Sequence, residues 1–325
     1  MSQTENTLVL EQKNRLNIGI SKCLLGENVR YDGNNKRLEF AVMRLQPYAN
    51  YLAICPEMAI GLPSPRPTLG LYRLRNQQII IRFNESRNDA IDEQIRLFSQ
   101  QTITKLSTLC GYIVCAKSPS CGLNNAKLLD NDSLEFISFT DGIFTAHLRD
   151  TYPWLPIIDN QQLMDSESQD HFMIRVFALH KLNQLKNKGL NRNKLLEFHS
   201  RYKLLLLAHS QPLYRQLGPF VAKIAEWDNL DDFFIEYRNR LMLLLAQPAT
   251  RENHTNVLMH MQGYFNRYLT ADQKKSFTDT ILSYHQGQTS LQTVISCIKS
   301  YLIQYPNKYL SEQYYFVYYP EPLPK

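Results

Sequence analysis

The chain has 325 residues, of which 44% are hydrophobic and 11% aromatic, and its formal net charge is +6. This composition excludes a disordered chain and a fibrous repeat, and the length suits two domains with ordinary cores. The first fourteen residues are polar, and no stretch approaches the ~20 apolar residues that a membrane span needs, so we expect a cytoplasmic protein without membrane association.

The first half of the chain predicts alternating strands and helices. Helically spaced apolar residues predict a helix over 89–109, and short apolar runs predict strands at 16–21, 51–54, 79–83 and 109–116. This order is typical of a Rossmann-like, doubly wound α/β domain with three layers, which we place at residues 1–160.

Three cysteines follow predicted strands. Cys23 and Cys55 come directly after the first and second strand, and Cys121 lies in the Ser-Pro-Ser-Cys-Gly loop that follows the strand at 109–116. In that loop Pro119 fixes its own φ and Gly122 permits a sharp exit, so the thiol is held on a tight turn. Because the carboxyl ends of the strands meet at one edge of a sheet, we expect the three thiols to converge there.

Thiolates from separate loops can bind one metal centre, and three of them leave a coordination position open. The spacing fits a zinc ion and an iron–sulfur cluster equally, since none of these cysteines forms a C-x-x-C pair. The remaining cysteines lie inside apolar or helical runs, and we interpret them as ordinary buried thiols: Cys110, Cys115 and Cys297. Six cysteines in such a chain favour reduced thiols or metal ligands over a disulfide framework.

Polar residues near these cysteines are further candidates. Glu57 follows Cys55 by two residues and is either a catalytic acid–base or a helix cap. Ser118 is the better catalytic candidate in its loop, whereas Ser120 either contacts the substrate or satisfies loop backbone groups. Asp32 lies in a Tyr-Asp-Gly turn that Arg30 directly precedes, and both residues are either structural or substrate-binding.

The second half predicts an all-α bundle, after a linker that is rich in proline and polar residues at 150–169. We place this domain at residues 161–325, with an extended tail from Pro306. Its predicted helices cover 171–187, 194–210, 213–226, 230–246, 251–269, 271–286 and 291–304. Seven of the eight histidines lie in this half without a metal-binding motif, so we interpret them as surface or core residues.

Basic residues are concentrated in this helical half. Residues 171–225 hold ten Lys and Arg but a single acid, Glu197. Such a run is either a solvated helical face or a surface for a polyanion, and the near absence of acids favours RNA. The predicted tRNA contacts are Arg175, Lys181, Lys186, Lys188, Arg192, Lys194, Arg201 and Lys203, and the run continues to Arg215 and Lys223.

Both halves resemble known families. The first half resembles the thiouracil desulfidases through Ile-Ser-Lys-Cys-Leu-Leu-Gly with Arg-Tyr-Asp-Gly, Cys-Pro-Glu with Gly-Leu-Pro-Ser-Pro-Arg, and Ser-Pro-Ser-Cys-Gly. The second half resembles the YbgA-like domain through runs that include Phe198-His199-Ser200, Ala208-His209-Ser210 and Tyr309-Leu310-Ser311-Glu312-Gln313. The fusion is similar to RNA desulfidases that act on thiolated tRNA. Two departures from the pattern, at Gln161-Gln162-Leu163 and at the end of the tail, bear on packing and RNA contacts more than on the chemistry.

The resemblance implies a [4Fe-4S] cluster that is held by three cysteines, here Cys23, Cys55 and Cys121, and an acid and a hydroxyl beside it, here Glu57 and Ser118. It implies that the free iron binds the sulfur of a thiolated pyrimidine in tRNA, such as 4-thiouridine, while water replaces the sulfur without a redox step and sulfide is released. The alternatives are a desulfidase of free thiouracil-type bases and an RNA-binding protein with a structural metal site.

Overall fold

The computed structural model describes residues 15–86 and 90–318, and the chain divides into two units between Phe172 and Met173. Two of the expectations above concern residues outside the described ranges. They are the polar character of the first fourteen residues and the end of the tail. The domain boundary expected after residue 160 stays a prediction.

The first unit contains the strands of the protein. Within the described residues they are β1 (Leu16–Ser21), β2 (Ala49–Ile54), β3 (Leu69–Arg73), β4 (Ile79–Phe83), β5 (Gly111–Val114), β6 (Ala126–Asp130), β7 (Phe136–Thr140) and β8 (Ile157–Asp159). The helices of this unit are α1 (Pro56–Ala59), α2 (Ala90–Ile103) and α3 (Ile143–Thr151).

The first sheet is wholly parallel and has the order β2-β1-β5-β8. Its central strands are apolar because both faces are covered: Ile18, Ile20 and Ile113 are fully buried. The chain runs from β1 to β2 on one side and returns to β5 on the other side of β1. Between β1 and β5 the strand order therefore reverses, which is where doubly wound sheets bind their ligands. The predicted α/β class is confirmed.

A second sheet, with the order β4-β3-β6-β7, was not predicted as a separate layer. Its outer pairs are antiparallel and its central pair, β3 with β6, is parallel. Only β4 was expected from the sequence, because it begins with three consecutive isoleucines, whereas β3, β6 and β7 mix polar with apolar residues. Leu71, Ile81 and Leu128 of this sheet pack against Ile91 and Ile95 of α2 in one core.

The second unit is helical, as predicted. Each of the seven expected helices is present, with ends within a few residues of the expected ones except the fifth, which stops at Gly263. The helices are α4 (Ser166–Asn187, which begins in the first unit), α5 (Arg192–His209), α6 (Gln211–Ala222), α7 (Leu230–Leu245), α8 (Arg251–Gly263), α9 (Ala271–His285) and α10 (Leu291–Gln304). Their starts follow from capping residues, such as Asn191, Asn229 and Thr250, whose side chains accept a backbone N–H of the first turn.

Two expectations for the connecting segments were wrong. The linker predicted at 150–169 contains β8 and the start of α4. The tail predicted to be extended forms two short helices, α11 (Lys308–Ser311) and α12 (Tyr315–Tyr318), whose tyrosines Tyr315 and Tyr318 are buried. In both segments burial of apolar residues outweighs the local turn signals. Within the described residues, no helix is long and apolar enough to cross a membrane.

Two histidines of the helical unit, His199 and His254, are buried in its core. The imidazole of His254 shares a hydrogen bond with the Tyr315 hydroxyl (2.7 Å), and that of His199 shares one with the Tyr237 hydroxyl (3.2 Å). Burial lowers the pKa of both histidines from 6.5 to about 4. They are therefore neutral in the folded protein near neutral pH.

The stability of the helical unit is expected to fall as the pH is lowered from 6.5 toward 4. In this window the unfolded chain binds protons at His199 and His254 that the folded chain does not bind, which costs about 1.4 kcal/mol of unfolding free energy per pH unit for each histidine. Hydrogen exchange of amides in α5 and α8 between pH 7 and 4.5 measures this slope. His254→Gln is expected to reduce the slope and the exposed His260→Gln to leave it unchanged; equal slopes in both variants would contradict the assignment.

Candidate functional site

The carboxyl ends of β1, β2 and β5 open into one cavity of about 370 Å³. The loops that follow these three strands supply its walls, and the switch point between β1 and β5 lies at its base. All three cysteines predicted as metal ligands line it: Cys23, Cys55 and Cys121. The sequence-based expectation that these thiols converge at one sheet edge therefore agrees with the geometry.

Each of the three cysteines is placed by a different local structure. Cys23 lies in a single 3-10 turn, Lys22–Leu25, which directly follows β1. Cys55 is the residue before α1, where Pro56 starts the helix. Cys121 lies in the turn after β5. Burial raises the pKa of Cys55 and Cys121, so a cationic group is needed to hold these sulfurs as thiolates.

Cys115 is a fourth thiol in the cavity, and the sequence did not indicate its role. It is buried, as expected, but it directly follows β5 and lines the cavity with the other three. Its thiol interacts with that of Cys23, and this contact lowers the pKa of the Cys115 thiol. The same contact, together with burial, raises the pKa of Cys23. The signal that points to Cys115 is its position at the end of β5, the same position that Cys55 holds after β2.

The Ser-Pro-Ser-Cys-Gly loop is closed by its own hydrogen bonds. The Ser118 hydroxyl oxygen accepts the backbone N–H groups of Ser120 (3.2 Å) and Cys121 (3.1 Å), which leaves its O–H as a donor at the cavity wall. From outside, the Thr145 hydroxyl donates to the Cys121 carbonyl (2.8 Å). Gly142 allows this close packing, because a Cβ there would lie 2.4 Å from the Ser120 carbonyl carbon.

The Glu57 carboxylate is fixed on both oxygens beside the thiols. Oε2 accepts the Nε and Nη2 groups of Arg66, which is itself buried, and Oε1 accepts the Ser120 hydroxyl at 2.7 Å. Arg66 is held in turn by the Val29 and Pro63 carbonyls, each at 3.0 Å. Glu57 lines the cavity, and its carboxylate accepts side-chain groups of Arg66 and Ser120; its catalytic role stays a prediction.

The remaining predicted site residues differ in their access to the cavity. Arg30 lines it and pairs with Asp32 (3.5 Å), whose carboxylate also accepts the Asn34 backbone N–H. Asp32 is not among the lining residues, and Ser120 is fully buried and donates to Glu57, so the substrate contacts expected of both stay predictions. Two further cations that were not singled out from the sequence, Lys36 and Lys117, line the cavity with Arg30.

The basic residues of the helical unit fall into separate groups. Four of those predicted to contact tRNA line one surface pocket: Lys181, Lys188, Lys194 and Arg201. Lys186 pairs with Asp231 (3.0 Å), and Arg192 donates to the Trp227 carbonyl (2.9 Å). Arg175 is largely enclosed, and burial lowers its pKa to about 10; Lys203 is half-buried near His199.

The donor groups at the cavity are mainly thiols. Among residues 15–86 and 90–318, no three His, Cys, Asp or Glu side chains come close enough together to hold one ion. Cys23, Cys55, Cys115 and Cys121 all line one cavity of about 370 Å³. Thiolates are the ligands of iron–sulfur clusters and also bind zinc, so this donor set fits either group.

Comparison with known families gives two matches. Residues 18–160 match the model of a family described as 2-thiouracil desulfurase, and residues 203–320 match that of a family of proteins of unknown function, DUF1722. The first match contains the whole cavity described above. The second covers most of the helical unit.

Two individual proteins are similar to parts of the chain. Over 151 residues the chain is 50% identical to the uncharacterized protein YbgA of Escherichia coli (strain K12), a stretch that makes up 46% of this chain and 89% of YbgA. A solved structure, the [4Fe-4S]-dependent thiouracil desulfidase TudS, is 26% identical and covers 46% of this chain and 94% of its own, with a TM-score of 0.34. That score is too low to support a structural argument.

Proposed function

Since residues 18–160 match the 2-thiouracil desulfurase family, residues 203–320 match DUF1722 and the chain is related to YbgA, we propose that it is a tRNA desulfidase. It replaces the sulfur of a thiolated uridine, with 4-thiouridine as the expected substrate, by oxygen. The reaction takes place in the cytoplasm, where thiols stay reduced.

The observation that carries this proposal is the cavity, in which thiols from neighbouring strands face a fixed carboxylate. Cys23, Cys55 and Cys121 would hold a [4Fe-4S] cluster there, leaving Cys115 in contact with Cys23. When bound, a cluster with three cysteine ligands supplies an iron atom with an open coordination position, a Lewis acid suited to a thiocarbonyl sulfur.

The protein's own residues supply the proton transfers. Exchange of C=S for C=O consumes one water and releases hydrogen sulfide, so no electrons are gained or lost. The Glu57 carboxylate, held by Arg66 and Ser120, is placed to accept the proton of the attacking water. The Ser118 hydroxyl has its oxygen occupied by two N–H groups, so its O–H is oriented to donate to the substrate.

Cations at the cavity favour a substrate that carries phosphate. Arg30, Lys36 and Lys117 line the same space as Glu57, and the Arg30 guanidinium lies 5.5 Å from the ring centroid of Tyr31. A neutral free base gains little from these charges, whereas a nucleotide in an RNA chain gains from each. A stacked thiouridine has to be extruded from its helix to enter the cavity.

Analysis of modified nucleosides tests the proposal directly. Thiolated tRNA is incubated with the anaerobically purified protein, and 4-thiouridine, uridine and released sulfide are measured. We expect one sulfide and one uridine for each 4-thiouridine consumed, without added reductant. Uridine that appears only with a reductant would contradict the hydrolytic reaction.

A desulfidase of free thiouracil is the second candidate, because the matching family is described by that base. The same incubation with free 2-thiouracil in place of tRNA separates the two. Turnover of the free base with intact thiolated tRNA left unchanged would replace the first proposal by the second.

A further inference from the structure

A second cavity, of about 260 Å³, lies in the helical unit and is made by two neighbouring helices. Lys181 and Leu185 lie on one face of α4 because of their helical spacing, and Lys188 directly follows the end of this helix. Lys194, Phe198 and Arg201 lie on one face of α5 for the same reason, and Tyr314 completes the wall. The pocket is therefore a product of helical periodicity, and its residues are dispersed in the sequence.

The pocket has an unbalanced positive charge. Its lining includes four cations and one acid, Glu197, which pairs with Arg201 at 3.6 Å. Within the described part of the chain, none of the lysines Lys181, Lys188 and Lys194 forms an ion pair. Like charges around one concave surface repel each other, so a bound anion would relieve this repulsion.

Aromatic and apolar groups lie beside these charges. The Lys181 ammonium lies 4.9 Å and the Arg201 guanidinium 5.3 Å from the ring centroid of Tyr314, so the ring holds both cations at the pocket. Phe198 is buried at the floor next to Leu185. A simple ion needs no apolar wall, whereas a nucleotide presents a phosphate to the cations and a ribose or base to the rings.

We propose that this pocket binds one nucleotide of an RNA chain, with its phosphate at Lys188 and Lys194 and its sugar or base against the Tyr314 side. The inference rests on the proposed function in that tRNA is the partner. It narrows the predicted run of ten basic residues to the four that share a pocket.

The test measures binding of the full chain to a tRNA transcript that contains no sulfur, across a range of KCl concentrations. Lys188→Gln/Lys194→Gln is compared with Lys275→Gln/Lys299→Gln, a control that removes the same charge from exposed positions on α9 and α10 outside the pocket. If each pocket lysine contacts one phosphate, the slope of log K against log[KCl], which is negative, becomes less steep by roughly 1.4 to 1.8 in the pocket variant. An equal change of the slope in both variants, or no change in either, would contradict the assignment of this pocket as an RNA-binding site.

Competition then identifies the ligand chemistry. At constant ionic strength, uridine monophosphate is expected to displace the transcript from the unchanged protein at lower concentration than inorganic phosphate. Equal displacement by the two would reduce the site to a phosphate site and overturn the nucleotide assignment. Because the transcript carries no sulfur, these results do not depend on desulfuration. An absence of sulfide release by the unchanged chain would contradict the proposed activity but not the pocket, and an absence of binding at the pocket would contradict the pocket but not the activity.

Discussion

Cys55→Ser is expected to lose most of the iron that the protein binds after anaerobic purification, and to lose activity with it. Serine keeps the shape of the residue before α1, but its hydroxyl is a poor ligand for iron in a thiolate site. Iron and sulfide are counted per chain, and the absorbance near 400 nm is recorded. Cys23→Ser and Cys121→Ser are expected to behave alike, since all three sulfurs line one cavity.

Two controls are cysteines outside the cavity, and a third variant changes Cys115 inside it. Cys110, whose thiol donates to the Asn17 carbonyl at 3.1 Å, and Cys297 in α10 are expected to tolerate serine with full iron content. Cys115→Ser keeps a hydrogen-bonding group beside Cys23 and is expected to retain iron as well. Full iron in Cys55→Ser would remove Cys55 from the ligand set, and loss of iron in Cys115→Ser would add Cys115 to it.

The sequence predicted the parts of this site that depend on strand ends. Loops that follow the strands of a parallel sheet lie at one edge of the sheet, so Cys23, Cys55 and Cys121 were expected together, and all three line the cavity. Cys115 directly follows β5, but its apolar neighbours led to the prediction of a longer strand that includes it. The end of β5 at Val114 is set by tertiary pairing with β8, which the local sequence does not show.

The second sheet and the partners of Glu57 could not be predicted from the sequence, for a related reason. β3 and β6 become a parallel pair only when distant segments meet, and neither has a strong apolar run of its own. Arg66 and Ser120 lie nine and sixty-three residues from Glu57, and no local spacing links them. By contrast, the helices of the second unit were predicted closely because periodicity and capping are local properties.

Glu57→Gln is expected to lower the single-turnover rate by about 10² to 10⁴ while substrate and iron still bind, because an amide cannot accept the proton of the attacking water. The structure adds a second effect. Arg66 is buried and pairs with Glu57, so the substitution leaves a charge without its partner, which typically costs about 3 to 5 kcal/mol of stability. A loss of activity alone would therefore not identify a catalytic role.

Two further variants separate chemistry from stability. Glu57→Gln/Arg66→Gln removes both charges, so stability is expected to recover in part while turnover stays low. Ser120→Ala removes the hydrogen bond to Glu57 Oε1 and leaves the charge pair intact, so it is expected to lower the rate far less than Glu57→Gln. Iron content, melting temperature and single-turnover rate are measured on each protein. If the double variant regained turnover together with stability, Glu57 would be a structural partner of Arg66 and the proton acceptor would have to lie elsewhere in the cavity.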